Sequence, residues 1–407
     1  MTLFWIAAST LGLGQADPTG DYRVEDLVVI EGSAYAEGLN SRGRFASALP
    51  RSLAGRRAVS EDGAATMPAG VITFHGEPSS RVDVLLEFRG RAVASVPSAS
   101  QRSGRMLWTE LTLAARDAAA APRPVSGESW LQDVREAAEG LSIVAGTASE
   151  RLLLYDIELD GTADVGLEVA DDVWTVANRG RQAVTEAAVI RPDGDDRWRV
   201  GVAPTVPAAP VAEAPAEEAA GGEADAETDT DQTATAQPAA QMPTAGVVSA
   251  GKRDGPASRE EVSFGPPLSA DDAVATYADR LPDVTGAARA HLRAVLRSRL
   301  SAESATLVYR LDPAEHTRLL SLEVTPQPRA VRRTALVLVT DADPTILERV
   351  DSLIARLGDD AWRVREEAER ELGRLGRLAE PALRKAVTSE DPEIANRAQR
   401  LAEDLTP

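Results

Sequence analysis

Residues 359–376 read DDAWRVREEAERELGRLG. Their apolar positions return about thirty residues further on: Val364 is answered by Ile394, Ala368 by Ala398 and Leu375 by Leu405, while upstream Leu353 is answered by Leu383. A recurrence of that length marks stacked helix pairs, each too small to bury its own apolar face and so dependent on a neighbour. Around this stretch the helices delimit themselves. Asp343-Pro344 is a capping residue followed by proline; Ile346, Leu347, Val350, Leu353, Ile354 and Leu357 keep amphipathic spacing, and Gly358 ends the run. The next helix, 361–373, presents Val364, Ala368 and Leu372, with Glu366 and Arg370 one turn apart on its exposed side. Gly376 marks a turn, Pro381 is confined to a first helical turn or bends its helix, and a last helix runs from about Pro392 to Leu405.

Asp360, Val364-Arg365-Glu366-Glu367-Ala368 and Leu372-Gly373-Arg374-Leu375-Gly376 together resemble the second helix of a HEAT repeat. Glu380-Pro381-Ala382-Leu383 is similar to the proline-containing first helix of the next unit. The second unit departs from the pattern, with Ala395 where the family has an arginine. The resemblance covers residues 345–406 and implies a protein-interaction scaffold. The whole arrangement also resembles exported bacterial proteins of unknown role that join a strand-rich N-terminal part, an acidic linker and a terminal HEAT-like pair. Two units are fewer than a solenoid usually needs, so the pair is expected to dock on the module before it or on a partner.

Upstream, residues 268–342 read as a small α/β module. Ser269-Ala270-Asp271-Asp272 caps a helix that stops before Pro282, and a second helix covers 285–300. Strands follow at 306–309, 322–324 and 335–339, with a short helix capped by Asp312-Pro313 between the first two. The continuous run Ala335-Leu336-Val337-Leu338-Val339 requires burial on both faces. From 203 to 267 Ala, Pro, Glu, Asp and Thr dominate, and every charge from Glu213 to Asp231 is negative. That composition predicts a disordered, extended tether. Residues 17–202 read as a strand-rich, sandwich-like domain of short runs separated by Gly, Ser and Pro, with one helix at 130–139. The fold expected is therefore multidomain α+β.

The first sixteen residues, apolar from Leu3 to about Gly14 and closed by Gly14-Gln15-Ala16, read as an export signal too short to span a bilayer. The mature chain is expected outside the cytoplasm, periplasmic or extracellular, with no transmembrane segment. A net charge of −20 over 407 residues argues against a nucleic-acid partner. There is no cysteine, and His75, His291 and His316 are far apart, so no metal or cofactor is expected.

No nucleophile elbow, phosphate loop, dinucleotide fingerprint or zinc helix occurs. Asp193-Gly194-Asp195-Asp196 reads as a hairpin turn rather than a calcium loop. Arg289, His291, Arg293, Arg297 and Arg299 make one helix basic, a solvated face or a seat for an acidic partner. The interaction surface is expected at Arg329, Arg332, Arg333, Trp362 and Arg365, serving a protein partner. Two other readings remain in the N-terminal domain: a carboxylate-dependent hydrolase, which needs a cleft with paired acids, or a carbohydrate-binding module, which needs Trp108, Trp174 or Trp198 exposed in a row.

Overall fold

The computed structural model describes residues 20–33, 70–122, 129–159, 164–194, 196–210 and 257–405. The expected signal segment and residues 211–256 of the expected tether lie outside the described residues. The N-terminal half supplies β1 (Gly20–Ser33), β2 (Gly70–Gly76), β3 (Ser79–Phe88), β4 (Gly90–Val96), β5 (Ser100–Arg102) and β6 (Arg105–Ala114), then α1 (Ser129–Ala137). It continues with β7 (Ser142–Ala145), β8 (Ala148–Glu150), β9 (Leu153–Leu159), β10 (Val165–Ala170), β11 (Val173–Asn178), β12 (Thr185–Pro192) and β13 (Trp198–Val202). The C-terminal half adds β14 (Ser258–Glu261), β15 (Ser263–Phe264), α2 (Ala270–Ala278), α3 (Gly286–Arg299), β16 (Thr306–Arg310), α4 (Pro313–Leu319), β17 (Leu320–Thr325) and β18 (Pro328–Thr340). Four helices follow: α5 (Pro344–Arg356), α6 (Trp362–Leu375), α7 (Glu380–Ala386) and α8 (Pro392–Leu405).

The expected division into a strand-rich domain and a separate α/β module is not how the strands are arranged. One nine-stranded sheet runs β15-β13-β12-β16-β18-β1-β2-β9-β4, alternating contributions from both halves of the chain. The reason is β18. Its apolar run needs a neighbour on each edge and cover on each face, and the module alone has one strand, β16, to offer at an edge. The second neighbour is β1, paired in parallel from Arg23↔Ala330 to Ser33↔Thr340.

Side chains alternate across β18 as strand geometry demands. Ala335, Val337 and Val339 enter one core, with Val28, Ile30, Phe74, Leu86, Trp108 and Tyr155. Leu336 and Leu338 enter another, with Leu27, Val29, Leu131, Val274, Leu292 and Leu296. Helices α1, α2 and α3 therefore cover one face of the large sheet. The other face is covered by a six-stranded sheet, in which β17-β3-β6-β7-β8 are paired in that order and β5 joins β6, and by a three-stranded sheet β10-β11-β14.

The expected tether is shorter than its composition implied. Val206 bridges to Val184, Leu268 to Trp198, and 258–264 forms β14 and β15 against β11 and β13. Its two described ends meet, with Ser258 Oγ donating to Ala208 O at 2.8 Å.

Local signals fall where the sequence puts them. Ser269 Oγ accepts from Asp272 N, Asp312 from Ala314 N and Glu315 N, and Asp343 from Thr345 N. Gly376, at φ 53°, stops α6, and Pro381 sits in the first turn of α7. The four last helices share a core of their own, including Val350, Leu353, Ala368, Leu372, Leu383 and Ala398. This layer does rest on the body, but on β10 through α5, not on the preceding module alone.

Because β18 serves both cores, Leu336→Ala should cost about 2–5 kcal/mol. Urea midpoints from tryptophan emission, to which the buried Trp108, Trp174 and Trp198 of the N-terminal half contribute, and from far-UV circular dichroism should fall together. An unchanged tryptophan midpoint would mean that the two halves unfold apart.

Candidate functional site

Three polar assemblies merit consideration. The first follows from the parallel register of β1 and β18, which sets Asp26 beside Arg333 on the face turned toward the smaller sheets. The Asp26 side chain is fully buried. Its Oδ1 accepts from the Tyr155 hydroxyl at 2.7 Å and its Oδ2 from Arg333 Nε at 3.0 Å. Arg333 Nη1 donates to Leu320 O at 2.9 Å, and Nη2 lies 3.1 Å from His316 Nε2. A guanidinium has only donors, so Nε2 must accept and the imidazole carries its proton on Nδ1. Burial, reinforced by Arg333, pushes the His316 pKa down to about 4. Burial and the Asp26 carboxylate raise that of Tyr155 well above the ordinary phenol range. Each group here is satisfied by another protein group. The assembly is a structural lock, its Asp26 carboxylate out of contact with solvent.

The second assembly lies on the helix-covered face. Glu25 meets Arg332 at 3.5 Å and His75 at 3.6 Å, and Thr73 Oγ1 is 3.0 Å from the same His75 nitrogen, Nε2. A nucleophile relay needs the hydroxyl on one imidazole nitrogen and the carboxylate on the other. Here both crowd one nitrogen, and Thr73 is buried. Burial lowers the His75 pKa against the opposing pull of Glu25.

Beside it, Asp283 takes two donors from Arg310 at 2.7 and 2.8 Å, and Arg310 also reaches Glu186 at 2.5 Å. The Arg310 hydrogen bonds hold the Asp283 carboxyl below its usual range. Glu25, Asp26, Asp283, Arg332 and Thr334 line a shallow cleft with room for little more than one water. Glycoside hydrolysis needs a carboxylic acid of raised pKa and space for a sugar ring. This cleft has no space for a sugar ring, and its Asp283 carboxyl is held below the usual range, not above it.

The third assembly is in the helical layer. Trp362 opens α6 and is 61 % exposed. Arg365 folds back, donating through Nη1 to Asp359 O at 2.6 Å and Asp360 O at 3.0 Å, with Nε 3.2 Å from Glu393 of α8. Arg397, its side chain 9 % exposed, donates to Glu393 at 2.7 Å, to Glu369 at 2.5 Å and to Glu366 at 3.3 Å. Glu366 thus faces Arg397 across the helices rather than Arg370 along its own. Arg365 and Arg397 supply the link between the units that Ala395 does not.

The five residues expected to form one interaction surface are divided. Arg329 is exposed and paired with Asp21, and Arg332 is exposed and paired with Glu25. Arg333 turns inward to Asp26, which removes it from the surface, and Arg365 is bound to its own helix end. Trp362 alone stands open. Three arginines of the basic helix α3 are paired, Arg289 with Asp279, Arg297 with Asp271 and Arg299 with Glu31; Arg293 is exposed and His291 is fully buried. Trp108, Trp174 and Trp198 are 2, 9 and 8 % exposed, so no tryptophan row faces solvent there. Asp193 is held by Arg199 at 2.8 Å in its turn; Asp195 lies outside the described residues.

Sequence reading missed Arg397. Its signal was present as acids at 366 and 369, one repeat length upstream. Among the described residues no helix is long and apolar enough to cross a membrane. No family model, curated protein or solved structure matches the chain.

The His316 contact makes the fold acid-sensitive in a defined window. The unfolded chain takes up the imidazole proton near pH 6.5 and the folded one near 4. The unfolded state therefore binds the extra proton between those values, so this stability is complete above about pH 6.5 and is lost toward pH 4, to the extent of roughly 3 kcal/mol. His316→Gln keeps an acceptor for Arg333 but does not titrate. Its urea-derived stability should fall less steeply than wild type across that window. Parallel profiles would remove His316 from this role.

Proposed function

We propose that this chain is an exported, non-enzymatic interaction protein, with a HEAT-like helical layer carried on a sheet-based body. The observation that carries the reading is Trp362, the only exposed aromatic side chain among the described residues. An indole left 61 % exposed at a helix end forgoes about 2–4 kcal/mol, the exposed share of its 150–250 Å². Tryptophan anchors are also the side chains on which interfaces concentrate their binding energy. Trp362 begins the helix whose repeat-like sequence suggested a scaffold, and the Arg397 contacts that tie α6 to α8 give it a firm base. Against a catalytic role stands the mutual pairing of the acids lining the cleft. Export is supported by the apolar stretch beginning at Leu3 and the small residues at 14–16.

Capture from an envelope extract, with full chain and Trp362→Ala compared at equal loading, tests the proposal. A stoichiometric protein partner should be recovered by wild type and reduced about tenfold or more by the variant, at an unchanged melting temperature. Equal recovery by both, or recovery by neither, ends the reading.

A further inference from the structure

We infer that the outer face of α6 is the seat for this chain's own acidic segment, Glu223–Asp231. Four arginines of the helical layer are paired with its own acids: Arg349 with Glu371, Arg356 with Glu367, Arg384 with Glu380 and Arg400 with Glu369. Arg363, Arg370 and Arg374 are exposed and make no ion pair among the described residues. They fall within about 40° of one another around the helix, opposite the buried Ala368 and Leu372. The acids nearest the stripe, Glu367 and Glu371, are the ones already held by Arg356 and Arg349. In a chain of net charge −20, Arg363 and Arg370, with no ion pair among the described residues, and Arg374, with only the charge of Glu371 beside it, form a local site of opposite sign.

The occupant is identified by pattern and by position. Residues 223–231 read EADAETDTD, an acid at every second place. An extended backbone projects alternate side chains from the same side, so such a segment would present its carboxylates in one row about 7 Å apart. From Arg363 to Arg374 the stripe is about 16 Å long, the reach of five or so residues of extended chain, so three of the segment's five acids can face it at once. Guanidinium–carboxylate pairs of this kind are charge-assisted and geometrically specific.

Position is equally favourable. The undescribed chain leaves after Pro210 and returns at Ala257, and Ser258 opens β14, which pairs with β11, itself paired with β10. β10 is the strand on which α5 rests, and α5 packs against α6. Both ends of the undescribed segment are thus anchored beside the strand on which the helical layer rests. Its Asp231 can extend up to about 70 Å from Pro210. Tethering in the same chain makes the pairing intramolecular, which favours weak ion pairs in cis.

The chain has no cysteine, so two can be introduced and labelled cleanly. Gly373→Cys lies on α6 with open space beyond its backbone, and Gln232→Cys follows the acidic row. Energy transfer between dyes at these positions in the full chain should be high at low salt and independent of dilution. It should fall by about half or more in 0.5 M salt, where screening shortens to a few ångströms. The same fall should accompany Arg363→Gln with Arg370→Gln and Arg374→Gln. It should also accompany Glu223→Gln, Asp225→Asn, Glu227→Gln, Asp229→Asn and Asp231→Asn, which leave the helix untouched. Transfer unchanged in both sets, insensitive to salt, or dependent on protein concentration would overturn the inference. The inference rests on reading the helical layer as a docking surface, yet transfer reports the segment alone. Arginine-dependent transfer in a chain that captures no partner would sink that reading and leave this one; partner capture without such transfer would do the reverse.

Discussion

Strand β18 is the element on which the rest of the molecule depends. Five successive apolar residues cannot be half-exposed without large cost, so they demand two covered faces and two paired edges. Both requirements are met by parts of the chain distant in sequence. Val337 packs among residues of the two smaller sheets, and Leu336 among the helices. One edge goes to β16 and the other to β1. Closing contacts across some three hundred residues adds only a logarithmic entropic cost, small beside the burial obtained.

That same pairing fixes the polar chemistry. Its parallel register puts Asp26 next to Arg333 on one face and Glu25 next to Arg332 on the other. A one-residue slip of β18 that set Thr334 opposite Asp26 would turn Arg333 to the other face and strip Asp26 of its cation. A buried carboxylate without its partner costs several kcal/mol. The network of Tyr155, Asp26, Arg333 and His316 therefore penalises wrong registers, and its closure upon itself accounts for the lack of an open reactive group there.

Much of this was legible locally. Ser269, Asp312, Asp343 and Gly376 act through backbone groups within a few residues, and each helix began or ended accordingly. The two-sided burial of 335–339 could be read from the run itself. What covered it could not, because pairing partners leave no trace in a single sequence. Polar β14, Ser-Arg-Glu-Glu, resembled the tether because an outer strand of a three-stranded sheet needs no apolar face. Arg333 resembled its exposed neighbours, although its even spacing from Ala335 and Val337 aligned it with the core. Trp362 was visible as a candidate because an indole at the start of a charged helix has nothing nearby in sequence to cover it.

Native-state hydrogen exchange on the backbone amides of Val28–Ile30 and of Leu336–Val339 tests the central role of β18 most directly. If the strand joins both halves, the two groups of amides open with the same free energy and respond to urea with the same slope, as members of one cooperative unit. Strong protection in β1 alongside fast exchange in β18 would contradict it, since the two halves would then be independent units that merely touch.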